Sequence, residues 1–579
     1  MGDHSDPPTF VDGGFLASPP PRFDLADRHF AVAVVALVLV IGLAHAGNLG
    51  NGFHYDDGHS VVRNPHIHTL DLPRFLLDSR TFSERPEDAM YRPLVVSSLA
   101  TNFLLGGLDP WGYHLFNLAV HCLAATVVCV LLRAMGLSKV VSLSGALLFG
   151  LHPAQSEVVN YVSARSESLA ALFYLCSFAL YASADSRGSA RTRSRILYAG
   201  SLLAFALALL SKAVAMSLPL MLLFYSCYRC DPDRGSKAHF ARALPGLLPY
   251  WTMAGAYALL YRSILLQAGQ GLYQVRDPLS QLATQGKAIV HYLKLVTLPV
   301  SMSVHPQFSE SAGLLDGPPW SACLMGASLA AGALALRRRN SLVLFGAIWF
   351  FVALLPVLAI PLNILVNDHR LYLALVGPVV ALSSLLERVP RRWPVFCFLA
   401  GLFAVLTYQR NGVWRDEITL WADAATRGPA MPAAHYNLAY ALHQDGELGR
   451  AMQAYQAATR LDPSYVRAHV NLGALYRQTG ATRDALEVLQ RAVELDPRSV
   501  EALNNLGLAH ADGGACDMAI SAYEEALSVD GEVAEVWLNL GMAYREKGLV
   551  DLAFQCLSRA IQLDPGMKDR YPAGSNGKR

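Results

Sequence analysis

Residues 53–64, FHYDDGHSVVRN, set two adjacent carboxylates, Asp56 and Asp57, just beyond an apolar segment that runs from Phe30 to Ala46. Between them lie Gly47, Asn48, Gly50, Asn51 and Gly52, so the chain leaves its helix before it reaches the acid pair. The pair therefore belongs to a loop at a membrane surface, where a side chain can meet a substrate while a helix bundle behind it supplies rigidity. The alternative is a solvated Asp-Asp-Gly turn, and the remainder of the sequence weighs one against the other.

Composition points to lipid. The chain is 579 residues long, 53% hydrophobic and only 16% charged, too apolar for an ordinary soluble domain. A net charge of +2 gives no electrostatic case for nucleic acid; the placement of the basic residues matters more than their sum. Cys122, Cys129, Cys176, Cys323 and Cys397 fall in apolar runs as small hydrophobes. Cys227 and Cys230 form a CxxC with no second pair or His cluster to complete a metal site, and Cys516 and Cys556 do not recur in register.

Residues 1–29, with five prolines and scattered charges, read as a disordered cytoplasmic tail. Phe30–Ala46 could be a signal-peptide core, since Ala44-His45-Ala46 resembles a cleavage site, but the long, mixed-charge tail before it and the many spans after it favour an uncleaved first span, with 47–90 as the first external loop. Tyr91–Leu105 is amphipathic and too short to cross, so it reads as interfacial. Further spans are expected at Trp111–Leu132, Val140–Leu151, Ser168–Ala184, Ile196–Leu210, Val214–Tyr228, Leu244–Leu265, Trp320–Leu336, Leu342–Ile360, Leu371–Leu386 and Pro394–Thr407, about eleven in all with the first. Basic clusters mark the cytoplasmic side: Arg22 and Arg28; Arg133 and Lys139; Arg187 to Arg195; Arg229 to Arg242; Arg337 to Arg339; Arg388 to Arg392. They alternate correctly if Leu282–Pro299 lies in the interface or re-enters. The Asp56 loop and the C-terminal part then share the outer face. On that face collect Arg92, His114, His152, Glu157, Arg165, Glu167, Lys212, Asp368, His369 and Arg370; polar groups at membrane depth are costly and so functional candidates. For each alone, a snorkelling or salt-bridged residue is the competing account.

After Trp414 the sequence repeats with a 34-residue period. Asn437, Asn471, Asn505 and Asn539 are in register, as are Ala451, Ala485, Ala519 and Ala553, and Gly446, Gly480, Gly514 and Gly548. Small residues where two helices touch and a terminal proline at Pro463, Pro497 and Pro565 make the tetratricopeptide pattern. Four repeats occupy 432–567, residues 413–431 supply a linker and half-repeat, and 568–579 a tail. The expected fold is all-α, a polytopic membrane bundle followed by an α-solenoid. The four asparagines lie at one position of each first helix, where amides could pair with the backbone of an extended peptide. A packing preference is the competing account.

Taken together, FHYDDGHSVVRNP, YRPL, GYHLFNLAVH, LFGLHPAQSEVVNYVSARSESLAALF, LLSK and DHRLYLALVG, followed by the repeats, resemble the transmembrane and tetratricopeptide-repeat protein O-mannosyltransferases of the GT-C superfamily, in a prokaryotic form. The resemblance covers nearly everything past residue 50. It implies a GT-C-like bundle over 30–412, a polyprenyl-phosphate sugar donor, and a Ser or Thr acceptor on an exported protein. It makes Asp56 the catalytic base with Asp57 its partner, and Arg165, Lys212 and Arg370 the phosphate ligands; from the polar set on the outer face, Arg92 is expected to join them, with His114, His152, Glu157 and Glu167 in support. The chain departs from the family's pattern at Ala213, where an acidic residue usually follows the Ser-Lys pair, and at His369, where a Glu usually precedes the Arg. Inverting transfer from such a donor needs one carboxylate and a basic pocket; no cofactor is required, though two carboxylates could hold Mg or Mn through waters. The expected location is the inner membrane, N-terminus cytoplasmic, with the loop and repeats outside it. A non-catalytic membrane-anchored repeat scaffold is the alternative.

Overall fold

The computed structural model of the protein describes residues 28–184, 191–228, 236–267, 277–311, 340–359 and 364–570, with isolated helical positions at 331, 332 and 335. Helices and turns account for these residues, with no strand among them. The chain divides between Asp416 and Glu417 into two compact units.

The first unit is a bundle of apolar helices. Among the described residues, five helices are long and apolar enough to cross a membrane: Arg28–Gly50, Pro110–Ala134, Val162–Ala184, Arg191–Ser211 and Ser341–Leu358. A sixth is present if Asp368–Ala374 and Val376–Leu386, which meet at a 51° bend, count as one span. The protein is therefore a membrane protein. The sequence led us to expect about eleven spans, and the difference has local causes. Lys139–Leu151 has 13 residues and so rises only about 20 Å, and Ala213–Cys227 is likewise short. Leu244–Leu265 lies inside the helix Ser236–Gln267, which carries Pro245 and Pro249 internally. Pro394–Thr407 lies inside Trp393–Val413, whose last turns hold Gln409, Arg410 and Asn411. The expected span Trp320–Leu336 falls almost wholly outside the described residues, as do most of residues 1–29, the basic clusters near 187, 229–234 and 337–339, and the tail 571–579.

Arg165–Ala184 packs along Arg191–Ser211 and against Pro110–Ala134, which in turn packs on Lys139–Leu151. Lys139–Leu151 also meets both the first helix, Arg28–His45, and the last, Trp393–Val413. Small residues permit the tightest contacts: a Cβ on Gly346 would strike the Gly377 carbonyl, so the helices there touch backbone to backbone. A polar seam runs through the same region. His121 Nδ1 lies 2.7 Å from the Tyr372 hydroxyl and its Nε2 3.0 Å from the Gly150 carbonyl, and Thr407 donates to the Leu151 carbonyl at 2.8 Å.

The second unit is four helix pairs: Pro432–Gln444 with Leu448–Leu461, Val466–Gln478 with Thr482–Leu495, Val500–Asp512 with Cys516–Val529, and Ala534–Glu546 with Val550–Leu563. A preceding helix, Glu417–Arg427, packs on the first pair. Gly446, Gly480, Gly514 and Gly548 end each first helix at φ of +83, +78, +73 and +79°, a left-handed conformation that glycine adopts without steric cost. Within the pairs, a Cβ on Gly507 would come within 2.5 Å of the Tyr523 ring. Gly507→Ala should therefore cost about 1–3 kcal/mol through overpacking, measured by chemical denaturation of the repeat unit; an unchanged midpoint would mean that the pair opens freely.

Candidate functional site

The acid loop owes its position to a chain of three amides. Asn51 Nδ2 donates to Asn160 Oδ1 at 2.7 Å, and Asn160 Nδ2 donates to Asn411 Oδ1 at 2.7 Å. Asn411 in turn donates to the Ala44 carbonyl at 3.0 Å, so the end of the first helix, the loop behind it and the last helix are stitched together. Past Asn51 the backbone turns sharply. Tyr55 has φ of +54°, the only positive φ at a non-glycine among the described residues, and such strain persists where surrounding structure imposes it. A wide turn over Gly58–Val62 then closes, with Arg63 N–H reaching the Gly58 carbonyl at 3.0 Å.

This turn sends the two aspartates in different directions. Asp57 is fully buried, and both its oxygens are taken. Oδ1 accepts from the Ser163 N–H at 2.7 Å and hydroxyl at 2.5 Å; Oδ2 accepts from the N–H groups of His54 at 3.1 Å and Val162 at 3.3 Å. It anchors the loop to the segment preceding the Arg165–Ala184 helix and cannot touch a substrate, so the catalytic partnership expected of it becomes a positioning role. Nor do the two carboxylates form a joint seat for Mg or Mn, since Asp57 has no oxygen to spare. Asp56 has a side chain 40% exposed, with His59 Nε2 at 3.5 Å from its Oδ1. His59 is held by Ser83 at 2.9 Å and lies 3.8 Å from Asp88. Ser83 also lines a surface cavity of about 250 Å³, with His66, Arg74, Asp78, Arg80, Glu84 and Pro86.

Burial pushes the Asp57 carboxyl up to about 7, although its four donors oppose this. Its ordinary value is 3.8, so between the two values folding takes up a proton and stability falls as pH rises. The melting temperature in detergent should decline from pH 5 to 7, and Asp57→Asn, which does not titrate, should flatten that decline while lowering stability overall; an unaltered slope would place the titration elsewhere.

Residues 156–167 are the hub on which the other candidates meet. Tyr161 lies beside both carboxylates, and burial with their charges pushes its phenol well above the ordinary range. Arg92 donates to Ser166 at 3.2 Å and stands over the Phe82 ring at 5.0 Å. Lys212 Nζ donates to Glu167 Oε1 at 2.5 Å. His369 bridges the two hub glutamates, with Nδ1 2.7 Å from Glu157 and Nε2 3.6 Å from Glu167. Arg370 donates to the carbonyls of Leu365 at 3.1 Å and Ile364 at 2.9 Å. Asp368 holds His291 at 2.9 Å and the Ser303 N–H at 3.0 Å. Burial drives Glu157 well above the carboxylate range, helped by Asp368. Burial also pulls the Lys212 ammonium down to about 8, and Arg92 and Arg370 act in the same direction.

Arg165 is placed otherwise than expected of a phosphate ligand. It is fully buried, and its guanidinium donates to Asn117 Oδ1 at 2.7 Å, Asn102 Oδ1 at 2.7 Å, Ser98 Oγ at 3.2 Å and the Tyr113 carbonyl at 3.0 Å, over the Phe116 ring at 4.4 Å. Four of its five N–H groups are spent clamping helices. His114 and His152 are also packing residues, bonded to the carbonyls of Gly52 at 3.1 Å and Val296 at 3.3 Å. The repeat asparagines are partly committed to one another's repeats: Asn471 donates to the Tyr436 hydroxyl at 2.9 Å and Asn539 to Asn504 at 2.8 Å, while Asn505 donates to its own helix at Glu501. Asn437 occupies the equivalent half-buried position. Sequence reasoning passed over His59 and Ser163. Their only signal is proximity to the acid pair and to Arg165.

The second unit matches models described as TPR repeat over 439–480 and 475–514, and as Tetratricopeptide repeat over 500–532 and 534–567. A crystal structure of MamA is 25% identical and aligns over 27% of this chain and 90% of its own, with a TM-score of 0.25. Protein O-mannosyl-transferase TMTC3 of Mus musculus is 32% identical over 161 residues, 27% of this chain and 17% of its own length. Protein O-mannosyl-transferase F38B6.6 of Caenorhabditis elegans is 24% identical over 461 residues, 74% of this chain and 63% of its own. The chain thus spans less than two thirds of the length of these curated relatives. The matches reach across both the membrane bundle and the repeats, and over both the chain is similar to the TMTC proteins, which are named protein O-mannosyl-transferases.

Proposed function

We propose that the protein is a membrane glycosyltransferase that moves a sugar, mannose by the names of its relatives, from a polyprenyl-phosphate donor to a Ser or Thr hydroxyl of an exported protein, with inversion. The observation that carries the reading is the hub at 156–167. One short segment holds the half-exposed Asp56 through Asp57 and Ser163, and within four residues also engages Arg92 and Lys212. In the transfer, the acceptor oxygen attacks the anomeric carbon as the bond to the phosphate oxygen breaks. Asp56 takes the hydroxyl proton, while Arg92, Lys212 and Arg370 hold the phosphate that leaves with the electron pair. Asp57 and Arg165 position these groups. The repeats hold the acceptor chain or a partner, and the loop and repeats stand outside the inner membrane. No cofactor is assigned.

The test is transfer of labelled mannose from a polyprenyl-phosphate donor to a Ser/Thr-rich acceptor by the purified protein, paired with mass spectrometry of exported proteins with and without the gene. Label on the acceptor and loss of hexose in the deletion support the reading. Partner binding through the repeats without donor consumption would establish the scaffold instead.

A further inference from the structure

A pocket built only to hold an anion would keep its cations free, yet here one of them is already paired. Lys212 Nζ sits 2.5 Å from Glu167 Oε1, in a contact where the lysine side chain is 19% and the glutamate 6% exposed. Glu167 has a second neighbour, His369 Nε2 at 3.6 Å, which is itself held by Glu157 at 2.7 Å. Arg92 and Arg370 lie near enough to act on Lys212 and on His369. The groups facing Glu167 are thus Lys212 and His369, with Arg92, Arg370 and Glu157 behind them. A carboxylate buried among cations subtracts one unit from the charge an incoming ligand meets, and in a site poor in water that unit acts strongly.

We propose that Glu167 is a selectivity residue of the phosphate pocket: as a resident counter-ion of Lys212 it suits the pocket to a singly charged phosphodiester and disfavours a doubly charged phosphomonoester. The inference rests on the assignment of Arg92, Lys212 and Arg370 to a donor phosphate. Its chemical sense is that the donor is a phosphodiester and the lipid product a monoester. The charge that grows on the departing phosphate is stabilised by the cations, and Glu167 then weakens their hold on the finished dianion. His369, in the position between the two glutamates, is the group that receives Glu167 if the ligand takes Lys212 from it.

The test uses the full chain in detergent and two lipids, farnesyl phosphate and its methyl ester, a phosphodiester with the same tail. A monoester's second ionisation lies near pH 6, so its charge changes between pH 5.5 and 7.5 while the diester's does not; the diester therefore controls for titration of His369, Glu157 and their neighbours. Relative to the diester, farnesyl phosphate should bind the unaltered protein less tightly as pH rises across that interval. Glu167→Gln should reverse the preference, tightening the monoester about tenfold at pH 7.5 with a much smaller change for the diester. A monoester that binds more tightly at pH 7.5 than at 5.5, relative to the diester, would overturn the proposal without any variant, as would equal changes for both lipids in Glu167→Gln. Failure of either lipid to bind the unaltered protein would instead remove the donor pocket itself, and the proposal with it.

Discussion

Asp56→Asn should leave the protein folded and lower sugar transfer by at least about 10²-fold, the scale on which a positioned general base contributes. The side chain is 40% exposed, with the His59 ring at 3.5 Å and Tyr161 beside it, so the substitution removes little packing, and stability should shift by no more than about 0.5 kcal/mol. The backbone role of the residue survives: its carbonyl still accepts from the Ser60 N–H at 3.0 Å and hydroxyl at 2.8 Å. Asparagine keeps the shape and loses the ability to take a proton, so the deficit should appear in kcat with KM for the donor nearly unchanged. Transfer assays beside a thermal melt make the measurement. Transfer undiminished in a folded variant would remove Asp56 from the chemistry.

Arg165→Met has the opposite signature. The side chain is wholly enclosed, and methionine would fill much of its volume while leaving Asn117, Asn102 and the Tyr113 carbonyl without their donors. Removing one partner from a buried charged network costs about 3–5 kcal/mol, a large share of the 5–15 kcal/mol that holds a typical domain together. We expect a lowered melting temperature in detergent and faster proteolysis of the membrane unit, with poor rescue by Arg165→Lys, because an ammonium cannot reproduce the planar fork that reaches both asparagines. A stable Arg165→Met protein with only a raised donor KM would return Arg165 to the phosphate pocket.

The sequence made the repeats plain because their information is periodic: register alone places Gly446, Gly480, Gly514 and Gly548 where the backbone requires a left-handed turn. The acid pair was equally visible as a pair, but not its division of labour. Which of two neighbouring aspartates is buried depends on the strained Tyr55 and on Ser163, 106 residues from Asp57. Arg165 misled for the same reason. A cation at the outer end of a span reads as a ligand for an anion until Ser98, Asn102 and Asn117, on other helices, are seen to use it up. The departure at His369 was readable as a substitution, but its bridging of Glu157, 212 residues away, was not. Hydropathy does not report bends or lengths, and Lys139–Leu151, though short, is as apolar as its longer neighbours.

Asn160 receives its amide partner from Asn411, 251 residues further along the chain. On a ribosome the acidic turn is made early, yet its brace is delivered only with the final bundle helix. A nascent or truncated polypeptide lacking that helix would own every charged group of the centre without a fixed geometry for them, so competence would arrive late, as a property of the finished bundle.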